Sequence, residues 1–188
     1  SDEEKEKVAK QIKEFYFHGK PIAPGTVLGY VDYFTDILFA YPASRSIKLN
    51  VDGGNNEIYF YEYSFVDEAT PLVPHTKIRG AAHCAQTQAV FDGVTMENLD
   101  EQTASREFIE MKKIIRQLWL NFITTAKPVP EGSSLSWPAL SINRSPYMSL
   151  GQTLELRHDL LSERVSFWSS IYEKYYREPI PPRPPTKS

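Results

Sequence analysis

Nine residues constrain this chain more than any others: "EIYFYEYSF", positions 57–65. Under the two-residue alternation of a strand, Tyr59, Tyr61 and Tyr63 point one way and Ile58 and Phe60 the other, so both faces carry large side chains. Such a strand needs cover on both sides and a neighbour along each edge. The rest of the chain offers little to pair with it. "YMSL" and "TLELR" read as a small hairpin joined by a two-residue turn at Gly151 and Gln152. The sheet is therefore short of strands, and either the aromatic strand is misread or its missing neighbours lie on polypeptide outside these 188 residues.

Most of the remaining chain is helical. Val8, Ile12, Phe15 and Tyr16 recur at helical spacing within 3–17, with Asp2, Glu3 and Glu4 at the positive N-terminal end, and Gly19 and Pro21 close the helix. A second helix begins near Leu28 and lines up Val31, Phe34, Ile37 and Leu38. Pro42 interrupts it and opens a third helix through Leu49, before the turn "DGGNN". The longest helix spans 103–126, with Phe108, Met111, Ile115, Leu118, Trp119 and Phe122 on one face. A last helix, 162–176, stacks Val165, Trp168, Ile171, Tyr172 and Tyr175. The length favours one unit, residues 1–178, followed by a proline-rich tail, 179–188.

Composition excludes several classes of function. A net charge of -3 with 24% charged residues lacks the basic excess of a nucleic-acid binder. No apolar run approaches the ~20 residues needed to span a bilayer, and the acidic helical start is the opposite of a secretory signal. One cysteine rules out an internal disulfide, and His18, His75, His83 and His158 form no helical ligand pair, so neither a metal site nor a cofactor is expected. The lack of a disulfide favours the cytoplasm, with secretion as the alternative.

Chemistry concentrates in "GAAHCAQTQAVFDG", residues 80–93. His83 has two readings from the residues alone: a core histidine behind two alanines, or a general base. It follows the aromatic strand by some eighteen residues and precedes a helix start at Ala85. In open α/β sheets, ligands and catalytic groups gather in loops beyond the strands' carboxyl ends. Cys84 could be a nucleophile paired with His83. Adjacent side chains rarely face one another, which favours a small buried hydrophobe.

"YFTDILFAYPASRSIKLN", "IYFYEYSF", "GAAHCAQTQAVF", "IIRQLWLNFITTAKPVP", "WPAL" and "RVSFWSSIYEKYY", in that order and spacing, resemble the C-terminal part of the cholinesterase-like carboxylesterases, above all the insect and lepidopteran ones. The resemblance implies an α/β fold, the C-terminal portion of an α/β-hydrolase with the last core strands and their covering helices, incomplete without an N-terminal portion. It makes His83, in the family's G-x-x-H loop, the general base of a Ser-Glu-His triad acting on small-molecule esters, with detoxification among the roles implied. The serine and glutamate would reside on the N-terminal portion of the same esterase, which becomes this chain's partner. No G-x-S-x-G elbow is present. The nearest run, Gly132-Ser133-Ser134-Leu135-Ser136, lacks its second glycine. Asp67 and Glu68 lie between strand and histidine, but the resemblance places the acid upstream of this chain. The family commonly follows the histidine with glycine and acidic residues, where this chain has Cys84, Ala85 and Gln86. A non-catalytic cholinesterase-like adhesion protein, an inactive fragment and an independent helical domain remain as alternatives.

Tyr30, Tyr33 and Phe34 could line an ester pocket, although aromatic residues at helical spacing are the mark of a core. Asn143-Arg144-Ser145 is a glycosylation sequon weakened by Pro146, and Pro182-x-x-Pro185 reads as part of a solvated tail.

Overall fold

Ser1 starts the first helix, α1 (Asp2–Phe17), through a capping box. Its hydroxyl accepts from the Glu4 amide at 3.3 Å, and the Glu4 carboxylate accepts from the Ser1 amine at 2.9 Å. The structure, a computed structural model, describes residues 1–91, 104–140 and 146–176. The sequon at Asn143 and the tail from 179 lie outside them.

α2 (Val27–Thr35) crosses α1 at Gly29, where an added Cβ would stand 2.3 Å from the Tyr16 carbonyl oxygen. Only glycine allows so close an approach. The expected break at Pro42 is instead one wide turn. Residues Asp36–Ala40 are π-helical, with the Tyr41 amide bonded to the Asp36 carbonyl, and the axis continues as α3 (Tyr41–Asp52). Pro42 offers no amide to the Leu38 carbonyl, and in a regular helix its ring would strike that carbonyl. Inserting a residue into the turn relieves both problems without ending the helix.

The described sheet has the order β1-β2-β3. β1 (Tyr61–Tyr63) runs parallel to β2 (Pro146–Leu150), with Tyr61 opposite Met148 and Tyr63 opposite Leu150. β2 is antiparallel to β3 (Leu154–His158). The aromatic strand is thus not the middle of this sheet. β2 is, and Tyr147, Met148, Ser149 and Leu150 are all buried. Regular pairing of β1 covers three residues, extended by bonds from the Leu140 amide to the Ile58 carbonyl and from the Met148 amide to the Phe60 carbonyl. Because Leu150 faces Leu154, the β2–β3 turn holds three residues rather than two.

Joining parallel strands requires a crossover, and here it contains α4 (Ala85–Val90) and α5 (Arg106–Thr125). Met111, Ile115 and Leu118 of α5 pack on Met148, Leu150 and Phe65, with Tyr59, Tyr61 and Tyr63 against the same cluster. One face of the aromatic strand is thereby covered. Ile58 and Phe60, on the other face, are half-buried.

A second cluster forms where α6 (Ser162–Tyr175) returns to the first helices and joins Trp168 to Tyr16, Phe17 and Tyr41. A buried ion pair stitches it together. Asp36, 1% exposed, accepts two bonds from Arg164, from Nε at 2.7 Å and Nη2 at 2.6 Å, while Arg164 Nη1 reaches Asp32 at 2.8 Å. The Tyr16 hydroxyl donates to Asp36 at 2.5 Å and accepts from Trp168 Nε1 at 2.7 Å. Burial, reinforced by the bond to Asp36, drives the Tyr16 phenol far above its ordinary range.

Candidate active site

Beyond β1 the chain makes a tight turn governed by Asp67. The Thr70 amide and hydroxyl both donate to Asp67 Oδ1, at 2.9 and 2.8 Å, and the Ser105 hydroxyl donates to Oδ2 at 2.6 Å. Burial acts to raise the Asp67 carboxyl, but the bonds from Ser105 and Thr70 outweigh it and hold the group below the usual carboxylate range. Ser105 is also the N-cap of α5, accepting from the Phe108 amide at 3.0 Å. Asp67 therefore ties the strand exit to the start of α5. Both its oxygens are engaged with Thr70 and Ser105 rather than His83, although it lines the same cavity as the histidine, and Glu68 is exposed.

The segment then folds back through a bridge between Leu72 and Arg79 and reaches His83 immediately before α4. Three contacts hold α4. Ala89 is fully buried. The Tyr61 hydroxyl donates to Gln86 Oε1 at 2.6 Å. Arg116 Nε donates to the Ala89 and Val90 carbonyls, each at 3.1 Å, satisfying acceptors that a helix end leaves free.

His83 itself is exposed, which removes the core reading. Its imidazole lies over the Phe39 ring with centroids 4.4 Å apart and planes 29° from parallel. It borders a cavity of about 290 Å³ lined also by Tyr63, Phe65, Asp67, Ser105 and Phe108. This cavity opens beyond the carboxyl end of β1, where a parallel sheet collects ligands.

Cys84 departs from expectation, since it is exposed rather than buried. It occupies the N-cap of α4 with φ 67°, a left-handed conformation that carries a Cβ only at a cost. Tyr30 and Phe34 likewise stand at 45% and 36% exposure instead of forming core, and only Tyr33 packs against the helical cluster. Among the described residues no three metal-ligating side chains converge, and no helix is long and apolar enough to cross a membrane.

Phe39, Tyr61 with Gln86, and Arg116 escaped the sequence-based search. Pro42 was a local signal for the first, since it sets the wide turn that carries Phe39. The others meet across 25 or more residues and left no local trace.

A parallel strand pair with its helical crossover, a histidine loop beyond the strand end and helices packed around it define a portion of an α/β-hydrolase. The chain belongs to the carboxylesterase family, whose sequence pattern matches residues 1–168. It is 28% identical over 173 residues to esterase FE4 of Myzus persicae, covering 86% of this chain and 29% of that protein. It is 22% identical over 195 residues to the juvenile hormone esterase of Tribolium castaneum, covering 88% of this chain and 32% of that one. The crystal structure of juvenile hormone esterase from Manduca sexta, with OTFP covalently attached, superposes with a TM-score of 0.70 at 22% identity, over 89% of this chain and 32% of that one. The chain thus spans about a third of the length of these relatives.

Proposed function

We propose that this chain is the C-terminal segment, residues 1–178, of a serine carboxylesterase of the insect type, and that His83 is the general base of its Ser-Glu-His triad. The observation that carries this is an exposed imidazole, braced from below by Phe39 and opening on a cavity at the strand end. In acylation, His83 takes the proton from a serine hydroxyl as the oxygen attacks the ester carbonyl, then delivers it to the departing alcohol. In deacylation it removes a proton from water and returns it to the serine. The carboxylate that orients the imidazole and the serine itself belong to an N-terminal portion of the esterase. Two features support that partnership: β1 pairs along one edge only among the described residues, and Ile58 and Phe60 retain exposed surface. The ester class is that of small carboxylic esters, to which the named relatives point.

The test is His83→Ala in the complete esterase. Turnover of a simple aryl ester should fall by on the order of a thousandfold or more with the unfolding midpoint unchanged. Undiminished turnover would overturn the assignment.

A further inference from the structure

Phe39 has no evident reason to be where it is as a packing residue. It is 44% exposed and belongs to neither hydrophobic cluster, yet its ring lies flat under the imidazole of His83, 44 positions away in sequence. The backbone beneath it is the π-helical turn Asp36–Ala40, and such turns recur at functional sites. The wider turn lets two neighbours face different ways. Asp36 enters the buried ion pair with Arg164, while Phe39 turns out to the histidine loop.

We propose that Phe39 is the positioning residue for His83: its ring fixes the plane of the imidazole and stabilises the imidazolium that forms as the serine attacks. This rests on the assignment of His83 as base. Stacking occupies one face of the imidazole and leaves both ring nitrogens free at the edge, where one must meet the serine hydroxyl and the other the triad acid. It also places an aromatic face within reach of a cation. A ring centroid 4.4 Å away lies inside the roughly 6 Å range over which an aromatic quadrupole attracts positive charge. A general base gains its positive charge as it takes the serine proton, so the contact between the imidazole and the Phe39 face strengthens only as the reaction proceeds. Its loss should therefore appear in kcat and not in KM.

The experiment compares Phe39→Leu, Phe39→Tyr and His83→Ala in the complete esterase, with kcat and KM measured on p-nitrophenyl acetate and thermal unfolding followed for each. Phe39→Leu should lower kcat roughly tenfold with KM and Tm unchanged, and Phe39→Tyr, which keeps the aromatic face, should stay within about twofold of the parent. Four results would overturn the proposal. These are an unchanged kcat in Phe39→Leu, a change confined to KM, a fall in Tm that parallels the lost activity, and a Phe39→Tyr protein as slow as Phe39→Leu. His83→Ala separates the two levels. If it abolishes turnover while Phe39→Leu has no effect, only the positioning role fails. If His83→Ala leaves turnover intact, the base assignment fails and the proposal with it.

Discussion

The two hydrophobic clusters of this chain are held together by different physics. Around α5 and β2 an apolar cluster of Met111, Ile115, Leu118, Met148 and Leu150, closed by Phe65 and Trp137, makes up the core, with Lys112 and Ser149 as the buried polar residues on the same two elements. Stability there comes from area removed from water, which is non-directional and tolerates graded change. Around α1, the π turn and α6 the aromatic residues enclose Asp36, Arg164, Tyr16 and Trp168 in one chain of directed bonds. A network of that kind is close to all-or-none, since removing one member leaves the others desolvated and unpaired. The loop bearing His83 joins the two regions, anchored through Gln86 and Arg116 to the apolar side and stacked on Phe39 from the polar side.

That contrast can be broken at its strongest point. Asp36→Ala should cost about 3–5 kcal/mol by urea unfolding, because it takes the carboxylate from Arg164 Nε and Nη2 and from the Tyr16 hydroxyl in a largely buried site and leaves Arg164 with Asp32 alone, and adding Arg164→Met should recover a large part of the loss. If the single change cost under about 1 kcal/mol, the directed network would be no more important than ordinary packing. On the apolar side, Ile115→Ala removes a fully buried side chain and should cost about 3 kcal/mol, with no partner change able to restore it short of refilling the volume. A double variant with Asp36→Ala that is simply additive would show that the clusters are energetically independent.

Alkali probes the boundary of the apolar cluster. Burial, then the charge of Asp67, pushes the Tyr63 phenol up to about 12, so the folded protein favours the neutral ring more than the unfolded chain does. The sign follows: this contribution is fully present below the ordinary tyrosine value near ~10 and is lost as pH rises from there through about 12. Tyr63→Phe should flatten the decline in stability over that window. An unchanged alkaline limb would mean that Tyr63 does not sense the folded environment.

The smallest expected effect is a gain. Cys84→Gly relieves a left-handed residue that costs about 1–2 kcal/mol with a Cβ, offset by about 0.4–1 kcal/mol of added freedom in the unfolded chain. The net is a stabilisation of roughly half to one kcal/mol, visible as a higher urea midpoint. A lower midpoint would show that the Cys84 side chain makes a stabilising contact of its own.

How much of this was legible depended on the range of the interactions. The stripes of Val8, Ile12 and Tyr16, of Met111, Ile115 and Leu118, and of Val165, Trp168 and Ile171 gave their helices to within a few residues, because helical periodicity is written in neighbours three and four apart. The helix start at Ala85 was legible too. The central position of β2 was not. "PYMSL" is five residues long and reads like a hairpin arm, and nothing within it announces that a parallel strand from some 85 residues earlier lies along its edge. Cys84 was misjudged for a similar reason. It stands exposed at a left-handed backbone position that residue type does not reveal.

By itself, then, the sequence determined the helical faces, the two-faced aromatic strand, the histidine loop and the kinship carried by their order. The tertiary structure alone decided which strand is central among the described residues, that Asp36 is paired with Arg164 across 128 positions, that Asp67 bonds Thr70 and Ser105 at the start of α5, and that Phe39 lies beneath the imidazole. The reason is physical. Local propensity follows from the few residues around each position, whereas pairing and stacking depend on chain reversals that bring distant residues together, and the closure of those loops depends weakly on their length and not at all on any local pattern.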